Sequence, residues 1–352
     1  MSPDRGKIVA RMKQIATHAR ANGIAVVALA LAAACAAGRA WAQDGGRIVF
    51  GAVGPGNAAR IFLTNADGSH FEALKPRGVR TVWDEHPVWS PDGRTIAFSA
   101  SVDAVSERIV LMESDGSNAR VISDGPGDWS PTWSPDGRDI AFTSGRVGNE
   151  RAGIYRYFLD SGQTVRITPL NGFAVSASWR SGGGAIVYMS TRAGFEDLHL
   201  MDDQGGHIAQ LTDRDTGDQT PRWHPRKDVI AFTAWGERGP DGISPFADIH
   251  TIQADGSDER RLTAHPAWDA DPSWSPSGGK LLFTSRRTGR PALYIMNSDG
   301  RELRRITDRT FTAIWGSDWF DAKYPRSVSP IGRHAATWGW LKRLGAAGDA
   351  PG

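Results

Sequence analysis

The 352 residues carry 41 Lys and Arg against 39 Asp and Glu, too even a balance for a nucleic-acid-binding surface, which needs a clustered basic excess. A single cysteine, Cys35, excludes a disulfide framework and cysteine-based metal sites. No H-E-x-x-H, G-x-S-x-G or phosphate-loop pattern occurs, so the common hydrolase and nucleotide-binding machinery is absent from the sequence.

In chain order, the first element reads as a leader. Arg5, Lys7, Arg11, Lys13 and Arg20 precede an apolar run from Ile24 to Ala34, and Ala40-Trp41-Ala42 supplies an A-x-A cleavage pattern. Residues 1–42 are therefore expected to be a signal peptide, with Met12 as an alternative start. The mature chain would begin at Gln43, without a membrane span, in the periplasm or secreted. Lipid attachment at Cys35 is disfavoured because Ala32 stands where the lipoprotein box wants Leu. Removing the leader leaves a nearly neutral chain with no cysteine.

Three short strands follow, at Arg47–Phe50, Ile61–Leu63 and Phe71–Leu74. Five fifteen-residue segments then align without a gap, from Asp84, Asp128, Ala174, Asp218 and Asp269, and a sixth, damaged copy ends at Trp319. Their tryptophans, Trp89, Trp133, Trp179, Trp223, Trp274 and Trp319, are 44, 46, 44, 51 and 45 residues apart. A period in the mid-forties is the size of a four-stranded propeller blade. Each unit reads as strands A to D: A ends at the tryptophan, a turn such as Ser90-Pro91-Asp92-Gly93 leads into B, and Asp-Gly turns at 67–68, 115–116, 255–256 and 299–300 join C to D. The opening strands lack an A, and the last repeat is only an A. An all-β, six-bladed β-propeller over residues 43–320 is therefore expected, with the N-terminal strands B, C and D completed by the C-terminal strand A, which removes the exposed edges of an open ring. Residues 321–352 form a basic and aromatic extension.

The W-S-P-D-G-x-x-I-A-F repeat, followed by a D-G turn and R-x-I/L-T, resembles the repeat of TolB-like propellers over roughly residues 47–320. TolB carries an α/β domain ahead of its propeller. Here the first strand follows the expected cleavage site at once, so the resemblance implies only the propeller's share: binding an envelope protein or peptide.

Strand direction puts the A–B and C–D turns on one face, and the B–C loops and D–A links on the other. The second face carries the length variation, with its longest loop from Trp235 to Phe246 containing Arg238, and variable loops on a rigid scaffold concentrate binding residues. Asp84, Asp128, Asp218 and Asp269 stand five residues before their blade tryptophans. Two readings are open: a carboxylate mouth able to hold a basic peptide or a divalent cation in the central channel, or hydrogen-bond acceptors tying blades together. His86, Trp129, Trp235 and Trp268 lie off the blade-tryptophan position and complete the candidate partner contacts. His199 and His250 occupy a strand-C position that also accepts Phe, Val and Tyr, which marks it as packing. No cofactor and no catalytic role are expected, and the chain reads as a monomeric scaffold. The alternative is a carbohydrate-binding or carbohydrate-active propeller using the same acidic mouth with Trp129 and Trp268.

Overall fold

The computed structural model describes residues 45–54, 58–102, 106–148, 151–237, 246–307 and 311–324. The expected leader with Cys35, Arg238 with most of its loop, and the extension beyond Tyr324 lie outside the described residues. No helix among the described residues is long and apolar enough to cross a membrane.

Six four-stranded antiparallel sheets form, and their innermost strands touch in sequence all the way round, the last reaching back to the first. Blade 1 is ordered A, B, C, D as Ala313–Phe320, Arg47–Val53, Ala59–Asn65 and Glu72–Leu74. Its A strand pairs with the B strand from Arg47↔Phe320 to Val53↔Ala313. The expected closure is thus realised: residues 260 to 273 positions apart in sequence pair in one sheet. Blades 2 to 6 follow as consecutive four-strand units, with A strands at Thr81–Trp89, Asp128–Trp133, Ala174–Trp179, Gly217–Trp223 and Asp269–Trp274.

The repeat signature has specific physical work in each blade. In the S-P-D-G turn of blade 2, the Ser90 hydroxyl accepts the Thr95 N–H at 2.9 Å and donates to Asp92 at 2.6 Å; Ser134 and Asp136 repeat the arrangement in blade 3. The last residue of R-x-I/L-T caps strand C. Thr168, Thr212, Thr263 and Thr307 hydroxyls accept the N–H groups of Ile154, Leu198, Ile249 and Leu293 at 2.9–3.0 Å, and Ser123 does the same for Ile109 at 2.8 Å. These buried donors would otherwise lack partners. Glycine in the C–D turn meets a second demand besides its positive φ: a Cβ on Gly205, the blade 4 counterpart of the D-G glycines, at φ +86°, would run into the Ile167 carbonyl of the preceding blade.

Between blades the core is apolar. Trp89, Ile96, Phe98, Val110 and Met112 of blade 2 pack with Val49, Ile61 and Leu63 of blade 1. Blade 1 has its own aromatic knot, in which Phe50, Phe62, Phe71 and Phe311 meet at centroid distances of 5.2–6.0 Å. Such pairs add to the area they bury, and here they fasten the two ends of the chain.

Candidate functional site: the central channel and its two mouths

Every inner strand carries a β-bulge three residues before its tryptophan. The residues there, His86, Ser130, Ser176, Thr220, Asp271 and Gly316, all have φ between 48° and 59°. Five of these six are not glycine, so a ring of left-handed residues surrounds the channel, a conformation that persists only where its surroundings hold it. Hydroxyls of the preceding blade supply part of that hold: Ser99, Thr143 and Thr233 accept the N–H of Ser130, Ser176 and Asp271 at 3.0, 3.3 and 3.1 Å. Facing blade 2 from blade 1, Gly51 leaves room for the backbone at Glu85 and His86.

Inside the channel, burial and the charge of Arg222 push His86 down to about 4, so it is neutral at physiological pH. Burial raises Asp271, with Arg222 and Thr220 pulling the other way. Toward the A–B turn face, a cavity of about 100 Å³ is lined from all six blades, by Pro91, Trp133, Trp179, Arg222, Trp274 and Asp318 among others. Asp318 joins two blades there by accepting the Trp89 N–H at 2.8 Å.

The opposite mouth, on the loop face, is collared by half-buried tryptophans: Trp83, Trp129 and Trp315 from inner strands, Trp268 from the link just before one, and Trp235 from the end of a B strand. Trp83 and Trp315 lie 5.6 Å apart, and Trp235 and Trp268 6.3 Å apart. Arg286 stacks over Trp268 at 5.5 Å. The Trp83 indole N–H donates to Glu85. Burial, helped by Glu107 and Asp84, pushes Glu85 up to about 7, and burial raises Glu107 as well. Among the described residues no Lys or Arg pairs with either glutamate; the one basic group near Glu85 is the neutral His86, at 3.7 Å.

The structure divides the sequence-predicted residues. Trp129, Trp235 and Trp268 are brought to the loop-face mouth, and His86 to the channel wall. Asp84, Asp128, Asp218 and Asp269 are all 0 % exposed, which corrects the reading of them as an open carboxylate mouth. Each sits in its own niche between sheet and link. Asp128 accepts from Gly125 N at 3.1 Å and Arg146 at 3.2 Å, and Asp269 accepts from Arg287 at 2.8 Å. Asp218 has Arg214 at 3.4 Å, and Asp84 has no hydrogen bond of good geometry to either oxygen. Burial pushes both of these up to about 6. Among the described residues no group of three or more His, Cys, Asp or Glu stands close enough to hold a metal ion. Sequence reasoning missed Trp83, Glu85, Glu107 and Trp315, although the signal was there. Trp129, Glu85 and Trp315 share the position four before the blade tryptophan, and Trp83 and Trp268 the position six before.

Residues 19–152, 129–244 and 241–319 match the TolB beta propeller domain family. The chain belongs to that family. Its relatives include a TolB protein homolog of Chlorobium luteolum, 31% identical over 150 residues that cover 33% of this chain and 34% of the relative. A Tol-Pal system protein TolB of Syntrophus aciditrophicus is 34% identical over 64 residues, 17% of this chain and 14% of the relative. The matched stretch spans about a third or less of the length of these relatives. The crystal structure of TolB from Acinetobacter baumannii superposes with a TM-score of 0.65 at 24% identity, covering 78% of this chain and 66% of the other. That likeness shows the fold.

Proposed function

We propose that this TolB-family propeller is a non-catalytic scaffold of the periplasm or extracellular space that binds a partner protein or peptide at the loop-face mouth of its channel. The tryptophan collar around Glu85 and Glu107 carries the reading. Half-buried tryptophans on a rigid rim are the residue type that dominates binding energy at protein interfaces, and two carboxylates without a basic partner favour a cationic segment. The two-part designation of one relative as a Tol-Pal system protein supports an envelope partner.

The test is crosslinking capture from an envelope fraction with wild type, Trp129→Ala and Trp315→Ala, followed by affinity measurement with the captured partner. Loss of about 2 kcal/mol, roughly 30-fold, is expected for each variant. Because Glu85 titrates near 7, binding of a cationic partner is expected to strengthen as pH rises from 6 to 8. An unchanged affinity in both variants refutes the assignment of this mouth.

A further inference from the structure

The six blade tryptophans are equivalent by sequence, yet one differs in its surroundings. Trp89, Trp179, Trp223, Trp274 and Trp319 are 1–7% exposed, whereas Trp133 is only partly buried. Over it, between blades 2 and 3 on the A–B turn face, opens a cavity of about 410 Å³ lined by Pro91, Leu111, Trp133, Gly137 and Leu159, with the polar Ser90 and Thr95 and the charged Asp92, Arg120 and Asp136 completing it. It shares Pro91 and Trp133 with the channel mouth on that face.

At three of the five other junctions a planar group fills such a slot, whereas beside Trp319, 1% exposed, Ser275 and Ile295 stand at the positions of Ser90 and Leu111 and among the described residues no cavity opens over the tryptophan. In blade 1 the residue after the tryptophan is Phe320, whose ring lies 5.8 Å from Trp89 and against the turn glycine Gly93 of blade 2. In blade 5 the same position is His224, 4.6 Å from Trp274, tilted at 66°, and against the turn glycine Gly278 of blade 6. In both, a planar ring from one blade is held between the next blade's tryptophan and the glycine of its turn. From blade 3, Arg156 instead covers Trp179 with a planar guanidinium at 5.4 Å. Blade 2 places Ser90 where Phe320 and His224 stand, and Leu111 where Arg156 stands. Neither is planar, and what lies nearest a Cβ on Gly137 is Pro91 at 3.6 Å. The Trp133 indole N–H is buried without a hydrogen-bond partner, as are those of Trp89, Trp179 and Trp223, so what sets Trp133 apart is its partly exposed ring face.

We infer that this slot is a binding site for an aromatic side chain presented by a partner polypeptide, the ring seating between Trp133 and Gly137 as Phe320 and His224 seat in their own slots. Three apolar side chains, Pro91, Leu111 and Leu159, and a tryptophan face suit a ring. The charged lining residues are two carboxylates, Asp92 and Asp136, against one guanidinium, Arg120, which favours a partner segment without acidic residues beside its ring. The site lies on the opposite face from the tryptophan collar and does not depend on it.

The experiment uses the full chain labelled with 5-fluorotryptophan, the Trp133 resonance being assigned by its loss in Trp133→Phe. N-acetyl-phenylalaninamide is expected to shift that resonance saturably, and N-acetyl-leucinamide to leave it in place. Ser90→His should fill the slot from within, keeping a turn acceptor as His224 Nδ1 does for the N–H groups of Arg226 and Lys227, and weaken probe binding at least tenfold. Should that variant fold poorly, Ser90→Phe, patterned on Phe320, carries the same expectation, and the contrast between the two probes stands on wild type alone. No saturable shift with the aromatic probe overturns the site. An equal shift with the leucine probe overturns the choice of a ring. A Trp133 shift that grows with protein concentration alone overturns the partner assignment in favour of a second copy. Because the readout is Trp133, it can fail while the collar variants still lose their partner, and the reverse.

Discussion

Replacing Asp84 with asparagine should make the protein more stable at neutral pH. Asp84 is fully buried, neither carboxylate oxygen has a hydrogen bond of good geometry, and burial raises it from near 3.8 to about 6, with the nearby Thr81 hydroxyl and the Arg60 charge pulling the other way. A folded-state value above the unfolded one means that the native state holds the proton more tightly. The benefit is complete below pH 3.8 and is lost as pH rises through 6. Two pH units correspond to about 3 kcal/mol of destabilisation at pH 8, on an order-of-magnitude basis. Asp84→Asn keeps the shape and removes the charge, so it should recover on the order of 2–3 kcal/mol at pH 8 and close to nothing at pH 4. Asp128, at the same repeat position, is the control: it accepts from Gly125 N and Arg146, so Asp128→Asn should cost about 1–3 kcal/mol. Urea denaturation of both variants at pH 4, 6 and 8 measures the difference. If Asp84→Asn destabilises at pH 8, or its effect does not change with pH, the account of Asp84 as a buried, uncompensated carboxylate is wrong.

Two further outcomes follow from the blade contacts. Asp318→Ala, which strands the buried Trp89 N–H now bonded at 2.8 Å, should cost about 1–3 kcal/mol in equilibrium unfolding. Gly205→Ala should cost more than Gly289→Ala by at least about 1 kcal/mol in paired thermal melts. Both have positive φ, but a Cβ at 205 meets the Ile167 carbonyl while one at 289 meets nothing within 4 Å.

The ring and its closure were legible because blade tryptophans, S-P-D-G turns and D-G turns recur at fixed spacing, and because an incomplete first blade matched an incomplete last one. The left-handed ring was not, since His86, Ser130, Ser176, Thr220 and Asp271 share no side-chain type and announce no positive φ. The aspartates were read at the right repeat position, with a channel mouth and a buried acceptor role both open, and their burial leaves the mouth reading behind. Whether an A-strand carboxylate faces a channel or a neighbouring sheet depends on the bulge that follows it, and a bulge leaves no residue pattern of its own. The collar was half legible: Trp129 and Trp268 stood out, while Trp315 lay in the damaged last repeat and Trp83 just ahead of the aligned segment that starts at Asp84.

The pairing of Ala313–Phe320 with Arg47–Val53 also sets an order of events. Blades 2 to 6 are each contiguous in sequence and can form from local hairpins, but blade 1 must wait until the final strand has been made and has found a partner at the far end of the chain. Closing so long a loop is slow, because its entropic cost comes before any contact rewards it. Until then Arg47–Val53 presents a bare, strongly apolar edge, the kind of edge that invites another chain to pair with it. The time spent as an open arc, rather than the final stability of the ring, is where this architecture is most exposed to misassembly.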